Sequence, residues 1–206
     1  MALLDKFLPA AAIREQLSAG GHDPTQVVME RIISPTEGIV EGRHTILAGT
    51  NNYLGLTFDP SCVAAARNAI ESQGTGTTGS RMANGSFSAH AALEQELAGF
   101  YQVDHGMVFS TGYAANLGTL VALLKPGDAV LLDADAHASL YDGCLMSGAD
   151  IYRFRHNDVA SLEKRLERLG ARAQDCLIVT EGLYSVLGDC APLVDIVALR
   201  NKYGAM

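Results

Sequence analysis

Positive charge is scarce in this sequence. Fifteen Lys and Arg stand against 23 Asp and Glu in 206 residues, a formal net charge of −8, and a chain so short of cations excludes a binding face for nucleic acid or an anionic membrane. Long apolar runs are missing too: no stretch approaches the ~18 residues a membrane helix needs. The opening Met1-Ala-Leu-Leu-Asp5-Lys6 has no basic segment ahead of a sustained apolar one, so neither a signal peptide nor a transmembrane segment is expected. The four cysteines, Cys62, Cys144, Cys176 and Cys190, lie far apart without a Cys-x-x-Cys pair. That spacing excludes a disulfide scaffold or zinc ribbon and points to reduced thiols in a cytoplasmic protein. What is plentiful is apolar: 48% hydrophobic residues with only 18% charged, the balance of a packed globular chain. The length holds one domain, or one domain and part of another.

Residues 1–50 read as an N-terminal arm. A helix runs to the Gly20-Gly21 stop, a second short one follows Asp23-Pro24, and Glu37–Val40 and His44–Ala48 form a small hairpin around Glu41-Gly42-Arg43. Pro60 to about Ser72 is a helix with Val63, Ala66 and Ile70 on one face, and Ser88 to Tyr101 another, aligning Leu93, Leu97, Phe100 and Tyr101. From residue 107 short apolar runs alternate with amphipathic segments. Strands are expected at Met107–Ser110, Ala129–Leu132, about 151–154 and Cys176–Thr180. The helices between them carry Leu117, Leu120, Val121 and Leu124, then residues near 138–147, then Leu162, Leu166 and Leu169; a last one opens at Pro192 with Leu193, Ile196 and Val197 inward. Alternation of this kind, with strands apolar throughout, predicts an α/β fold: a mostly parallel sheet with helices on both faces, preceded by the helical arm and hairpin. Gly204-Ala205-Met206 reads as a helix C-cap and the first step toward a further strand, so the chain is expected to be the N-terminal half of a longer protein.

Gly74-Thr-Gly76-Thr-Thr-Gly79 has the spacing of a dinucleotide fingerprint. Its context does not: a helix rather than a strand precedes it, and Ser80 to Gly85 delays the next helix. A nicotinamide oxidoreductase is therefore the weaker alternative, and the segment is a loop whose backbone either approaches a ligand or simply connects. Ser110-Thr111-Gly112-Tyr113 lies at a strand-to-helix turn, where free N–H groups make either a phosphate seat with a hydroxyl donor or a plain helix cap. Asp133-Ala-Asp135-Ala-His137 follows the next strand and Glu181-Gly-Leu-Tyr184-Ser185 the fourth, so three loops converge on the carboxyl edge, where α/β sheets bind ligands. His137 can cap its helix or stack on a planar cofactor; no second histidine stands at ligand spacing, and no metal is expected. The remaining histidines, His22, His44, His90, His105 and His156, have no evident partner.

In order, Asn51-Asn52-Tyr53-Leu54-Gly55-Leu56, the glycine loop with Ser80-Arg81, Ser110-Thr111-Gly112-Tyr113-x-Ala115-Asn116, Asp133-x-Asp135-x-His137-Ala138-Ser139 and Glu181-Gly182-x-Tyr184-Ser185 resemble the α-oxoamine synthases. These are pyridoxal-phosphate enzymes of the aspartate aminotransferase fold type. The resemblance covers nearly the whole chain from about residue 27. It implies a decarboxylative condensation of an amino acid with an acyl thioester. Val28-Met29-Glu30, Ser34-Pro35-Thr36-Glu37, Thr57-Phe58-Asp59-Pro60, Tyr141-Asp142-Gly143 and Arg153-Phe154-Arg155-His156-Asn157 look most like the branch that joins L-serine to palmitoyl-CoA at the start of sphingolipid synthesis. Asn51 is closer to the aminoketobutyrate-ligase and aminooxononanoate-synthase pattern.

The resemblance also implies roles. His137 is the catalytic residue, stacking on the pyridine ring and helping to hold the substrate carboxylate. Ser110, Thr111, Gly112, Tyr113, Glu181 and Ser185 join it around the cofactor. Asn52, Thr78 and Ser80 contact substrate, the last two from the partner of a homodimer whose active sites are shared. The acyl donor is acyl-CoA or an acyl carrier protein. Residues 1–55 form the arm and 56–206 the N-terminal part of the cofactor-binding large domain. The family's later Asp-Glu-Ala-His block does not occur in these 206 residues, and the four lysines, Lys6, Lys125, Lys164 and Lys202, fall on predicted helices or helix ends rather than in a pocket loop that could carry the Schiff base, so the segment alone is expected to be inactive. A non-catalytic homologue is the other reading.

Overall fold

The computed structural model describes residues 3–21 and 27–206, and the chain divides into two compact units, Met1–Gly85 and Ser86–Met206. In the first, a 3-10 turn (Leu3–Phe7) leads into α1 (Leu8–Ser18). The short helix expected after Asp23-Pro24 lies outside the described residues. Then come β1 (Met29–Ser34), β2 (Glu37–Val40) and β3 (Arg43–Ile46), an antiparallel sheet in that order. The hairpin is therefore the second half of a three-stranded sheet. Its loop is also shorter than expected: Arg43 pairs with Val40, leaving Glu41 and Gly42, both at positive φ (50° and 71°), as a two-residue turn whose twist suits the strands it joins. α2 (Pro60–Gln73) starts where Asp59 accepts from the backbone N–H groups of Ser61 (2.9 Å) and Cys62 (3.1 Å), with Pro60 in the first turn.

The second unit opens with α3 (Ser88–Tyr101), whose Leu93, Leu97, Phe100 and Tyr101 stay exposed. Residues 107–110 are not a strand. The Val108 N–H donates to Glu94 Oε1 at 2.9 Å, so a side chain of α3 takes a donor that a strand would give to its ladder. α4 (Gly112–Leu123), β4 (Ala129–Asp133), α5 (Ala138–Ser147), β5 (Asp150–Phe154), α6 (Val159–Leu169), β6 (Leu177–Val179) and α7 (Leu193–Tyr203) then alternate as expected.

The sheet has the order β5-β4-β6 and is parallel throughout. All five residues of the central strand β4 are buried, and they alternate between two cores as a pleated strand must. Ala129 and Leu131 pack with Leu162 and Leu166 of α6 and Ile196 and Leu199 of α7, while Val130 and Leu132 pack with Leu120, Leu124 and Cys144. Helices therefore cover both faces. The inward set differs from the expected one in detail: Val121, Leu193 and Val197 are exposed, and Leu199 is buried instead. Beyond the α7 cap at Gly204 (φ 72°), the Met206 N–H donates to Cys176 O (2.9 Å) and Met206 O accepts from Ile178 N–H (2.8 Å), the bond pattern of a parallel neighbour on the outer edge of β6.

Candidate cofactor site

The site is built by the ends of β4 and β6. The chain passes from β4 through α5 to β5 on one side, then through α6 to β6 on the other, so the connections leaving β4 and β6 diverge to opposite faces. A crevice opens at such a switch point. Two sequence-expected residues meet across it: the His137 N–H, after β4, donates to Glu181 Oε1, after β6. The His137 side chain caps α5, its Nδ1 accepting from the Ser139 N–H at 3.2 Å. A backbone N–H can only donate, so Nδ1 is the unprotonated nitrogen and Nε2 carries the proton of the neutral ring. Buried Ser139 supports this arrangement: its Oγ accepts from Asn116 Nδ2 (3.0 Å) and lies 2.8 Å from His137 Nδ1.

α4 presents its N-terminus at the same edge. Thr111 is its cap, with Oγ1 accepting from the Ala114 N–H at 3.0 Å. The N–H groups of Gly112 and Tyr113 belong to the first turn, where a helix supplies no acceptor of its own, and a Cβ on Gly112 would meet nothing within 4 Å. Positive helix end, bare N–H groups and open space suit an anion. Tyr113 stands edge-on to His137, with ring centroids 6.4 Å apart and planes at 77°, and its hydroxyl donates to the Asp142 carboxylate. That acceptor pushes the phenol pKa up and keeps the proton in place. A flat, phosphate-tailed ring is matched by this donor set: helix N–H groups at one end and an exposed imidazole at the other.

A family model for aminotransferases of class I and II matches residues 43–206. The chain belongs to that family. Similar over 204 residues, at 53% identity, is a serine palmitoyltransferase of Caulobacter vibrioides; the match covers 99% of this chain and 50% of the relative. An 8-amino-7-oxononanoate synthase of Geobacter sulfurreducens is 46% identical over 180 residues, covering 85% of this chain and 46% of its own length. Among solved structures, a serine palmitoyltransferase of S. paucimobilis with a bound PLP–myriocin aldimine superposes with a TM-score of 0.95 at 51% identity, covering 100% of this chain and 52% of that one. The chain thus spans about half the length of the relatives it matches. These relatives bear out the resemblance to α-oxoamine synthases that the ordered motifs carry.

Within this member of the aminotransferase family, the second unit brings together Thr111, Gly112, Tyr113, His137 and Glu181 at one sheet edge. Ser110 precedes the α4 cap and is exposed, and Ser185 is exposed on the loop after β6. Asn52, Thr78 and Ser80 belong to the first unit. There Asn52 Oδ1 accepts from the Thr57 N–H (3.4 Å), Ser80 O accepts from the N–H groups of Ala83 and Gly85, and Thr78 is exposed. The glycine loop folds back on itself: a Cβ on Gly85 would lie 1.9 Å from Gly79 O.

Three histidines that lack partners in the sequence reading have them in the structure. His44 Nε2 lies 3.4 Å from Glu37, and His90 Nδ1 accepts from the Phe87 N–H at 3.0 Å. His156 is the informative one, with Nδ1 2.9 Å from Asp133 Oδ1 and Nε2 3.0 Å from Asp189 Oδ2. Its partners are 23 and 33 residues away, one at the end of β4 and one on the loop after β6, so no local spacing announces them. The available signal was that Asp133 ends one strand-like run and His156 closely follows another.

Proposed function

We propose that this chain is the N-terminal half of a pyridoxal-phosphate-dependent α-oxoamine synthase that condenses L-serine with palmitoyl-CoA to a 3-keto sphingoid base. The observation that carries the reading is the 53% identity to a serine palmitoyltransferase across 99% of the chain. The edge that joins His137, Glu181 and the α4 N-terminus supports it. Residues 56–206 serve as the first part of the cofactor-binding domain and 1–55 as an arm. The cofactor supplies the electron sink for bond-breaking at the amino acid's α-carbon.

The chain's own residues bind and orient. Gly112 and Tyr113 N–H groups, with the Ser110 and Thr111 hydroxyls, hold the phosphate. His137 lays its ring against the pyridine and turns its Nε2–H to the substrate carboxylate, while Glu181 and Ser185 secure the loops beside it. Asn52, Thr78 and Ser80 line the amino-acid side, the latter two from the second protomer of a homodimer. The exposed apolar side chains of α3 support burial against such a partner. No described helix is long and apolar enough to cross a membrane, and we place the enzyme in the cytoplasm, taking its acyl group from coenzyme A or a carrier protein.

The 46% identity to an aminooxononanoate synthase favours a second reading, in which a smaller amino acid replaces serine. Adding L-serine, glycine and L-alanine separately to the intact protein with pyridoxal phosphate separates the two. A change in the visible absorbance of the bound cofactor with serine alone supports the first. A change with glycine but not serine overturns it.

A further inference from the structure

His156 stands between two carboxylates. Asp133, fully buried at the end of β4, accepts from three donors: the Asp135 N–H (2.9 Å) and His156 Nδ1 (2.9 Å) at Oδ1, and the Asn157 N–H (3.0 Å) at Oδ2. Both carboxylate oxygens are thus acceptors, which makes Nδ1 a donor. On the other side Nε2 meets Asp189 Oδ2 at 3.0 Å. The same oxygen accepts from Asn157 Nδ2 (3.0 Å), whose second hydrogen goes to Cys190 O (3.2 Å). A carboxylate gathering N–H donors makes Nε2 a donor as well. An imidazole with both nitrogens donating is an imidazolium. Three further groups stand close: Asp135 Oδ2 is 3.9 Å from Nδ1, the Tyr184 ring is edge-on with centroids 4.4 Å apart, and Asn157 Nδ2 is 3.2 Å from Nε2 with its two hydrogens already directed at Asp189 Oδ2 and Cys190 O. Hydrogen bonds from Asp133 and then Asp189 push the His156 pKa above the ordinary 6.5.

This cation closes a ring of contacts. Asp133 begins the loop that carries His137. Asp189 ends the loop that carries Glu181, and its carbonyl accepts from the Tyr184 N–H (2.9 Å). The Tyr184 hydroxyl meets Thr180 Oγ1 (2.8 Å) and accepts from the Glu181 N–H (3.4 Å), and Glu181 in turn holds the His137 N–H. We propose that His156 is a positioning residue of the cofactor site: as an imidazolium it ties the exit loops of β4, β5 and β6 together and so fixes where His137 and Glu181 stand. The proposal rests on the functional reading above, and the test separates the two.

Amide hydrogen exchange and imidazole ¹⁵N NMR are measured on the intact protein without added cofactor, followed by pyridoxal phosphate titration of the same samples. The proteins are the unaltered chain, His156→Gln, and Asp189→Asn, which removes charge at the exposed end of the clasp and stands in if the first variant does not fold. Both His156 nitrogens are expected to be protonated, with titration above 6.5. In the variants the His137 amide should exchange at least about tenfold faster while Leu131, in the middle of β4, is unchanged; a general loss of stability speeds both. Cofactor affinity should fall roughly tenfold in parallel. Unchanged His137 exchange in the folded variants, or a His156 that titrates below 6.5, overturns the proposal. If the His137 amide loosens as expected but the unaltered protein takes up no pyridoxal phosphate, the clasp is supported and the functional reading falls.

Discussion

His137 has two separable tasks, and replacements can take them apart. Its Nδ1 caps α5, and its ring is proposed to face the cofactor. Asn is a good cap without the ring, whereas Ala is neither; loss of a cap costs about 1 kcal/mol. In the full-length protein His137→Asn is therefore expected to lower kcat/KM by roughly 100-fold, the penalty of a misplaced reacting group, with an unfolding midpoint close to the parent's. His137→Ala should show the same kinetic loss and the extra cap penalty in thermal unfolding. Near-normal turnover in either variant removes His137 from the site. Thr111 caps α4 as well: without cofactor, Thr111→Ala should cost about 1 kcal/mol and Thr111→Ser much less, read by denaturant unfolding. The position of His137 was legible because the local order strand, Asp-x-Asp-x-His, helix places it at the carboxyl edge. His156 was not, because its meaning lies in two carboxylates brought to it by the end of β4 and the loop after β6.

At the level of elements, legibility followed the number of helical turns and the quality of the ends. α6 has Asp158 accepting from the Ser161 N–H (2.8 Å) at its start and Leu162 and Leu166 fully buried one turn apart, and its pattern shows both features. β1 shows neither: most of its residues are exposed, so Met-Glu-Arg-Ile-Ile-Ser lacks the alternation of a half-buried strand. Residues 107–110 fail the other way, apolar enough to read as a strand but bonded to a helix side chain. Helix-to-helix distance is a further property that periodicity does not report. α5 approaches α4 at Gly143, where a Cβ would sit 2.9 Å from Leu120 Cδ1 and 3.3 Å from Leu117 Cα. Gly143→Ala gains helix propensity but forces these helices apart, and overpacking of this kind costs about 1–3 kcal/mol. The variant should unfold earlier despite being the better helix former; increased stability would show that the contact yields without cost.

For the molecule as a whole, the two-sided burial of the sheet and the charged clasp at its edge predict different responses to reagent and to pH. Cys144 and Cys176 are buried and Cys62 and Cys190 exposed; burial pushes the first two thiols up, so alkylation of the folded protein should mark Cys62 and Cys190 peptides first and the others only after unfolding. The clasp responds to pH in two directions. Asp133 is driven upward by burial, but the bonds from Asp135, Asn157 and His156 outweigh this and leave its pKa below the ordinary 3.8. Its contribution to stability is therefore present above 3.8 and lost as pH falls through the lowered value. His156 is raised above 6.5, so its contribution is fully present below 6.5 and lost as pH climbs through the raised value. Between these limits both partners are charged and the loops are held together. Calorimetry across that range should give a melting temperature that declines on the alkaline side of 6.5, and His156→Gln should flatten that decline because its amide does not titrate. If the parent and the variant lose the same amount over the alkaline interval, the imidazolium is not what holds the edge of the sheet.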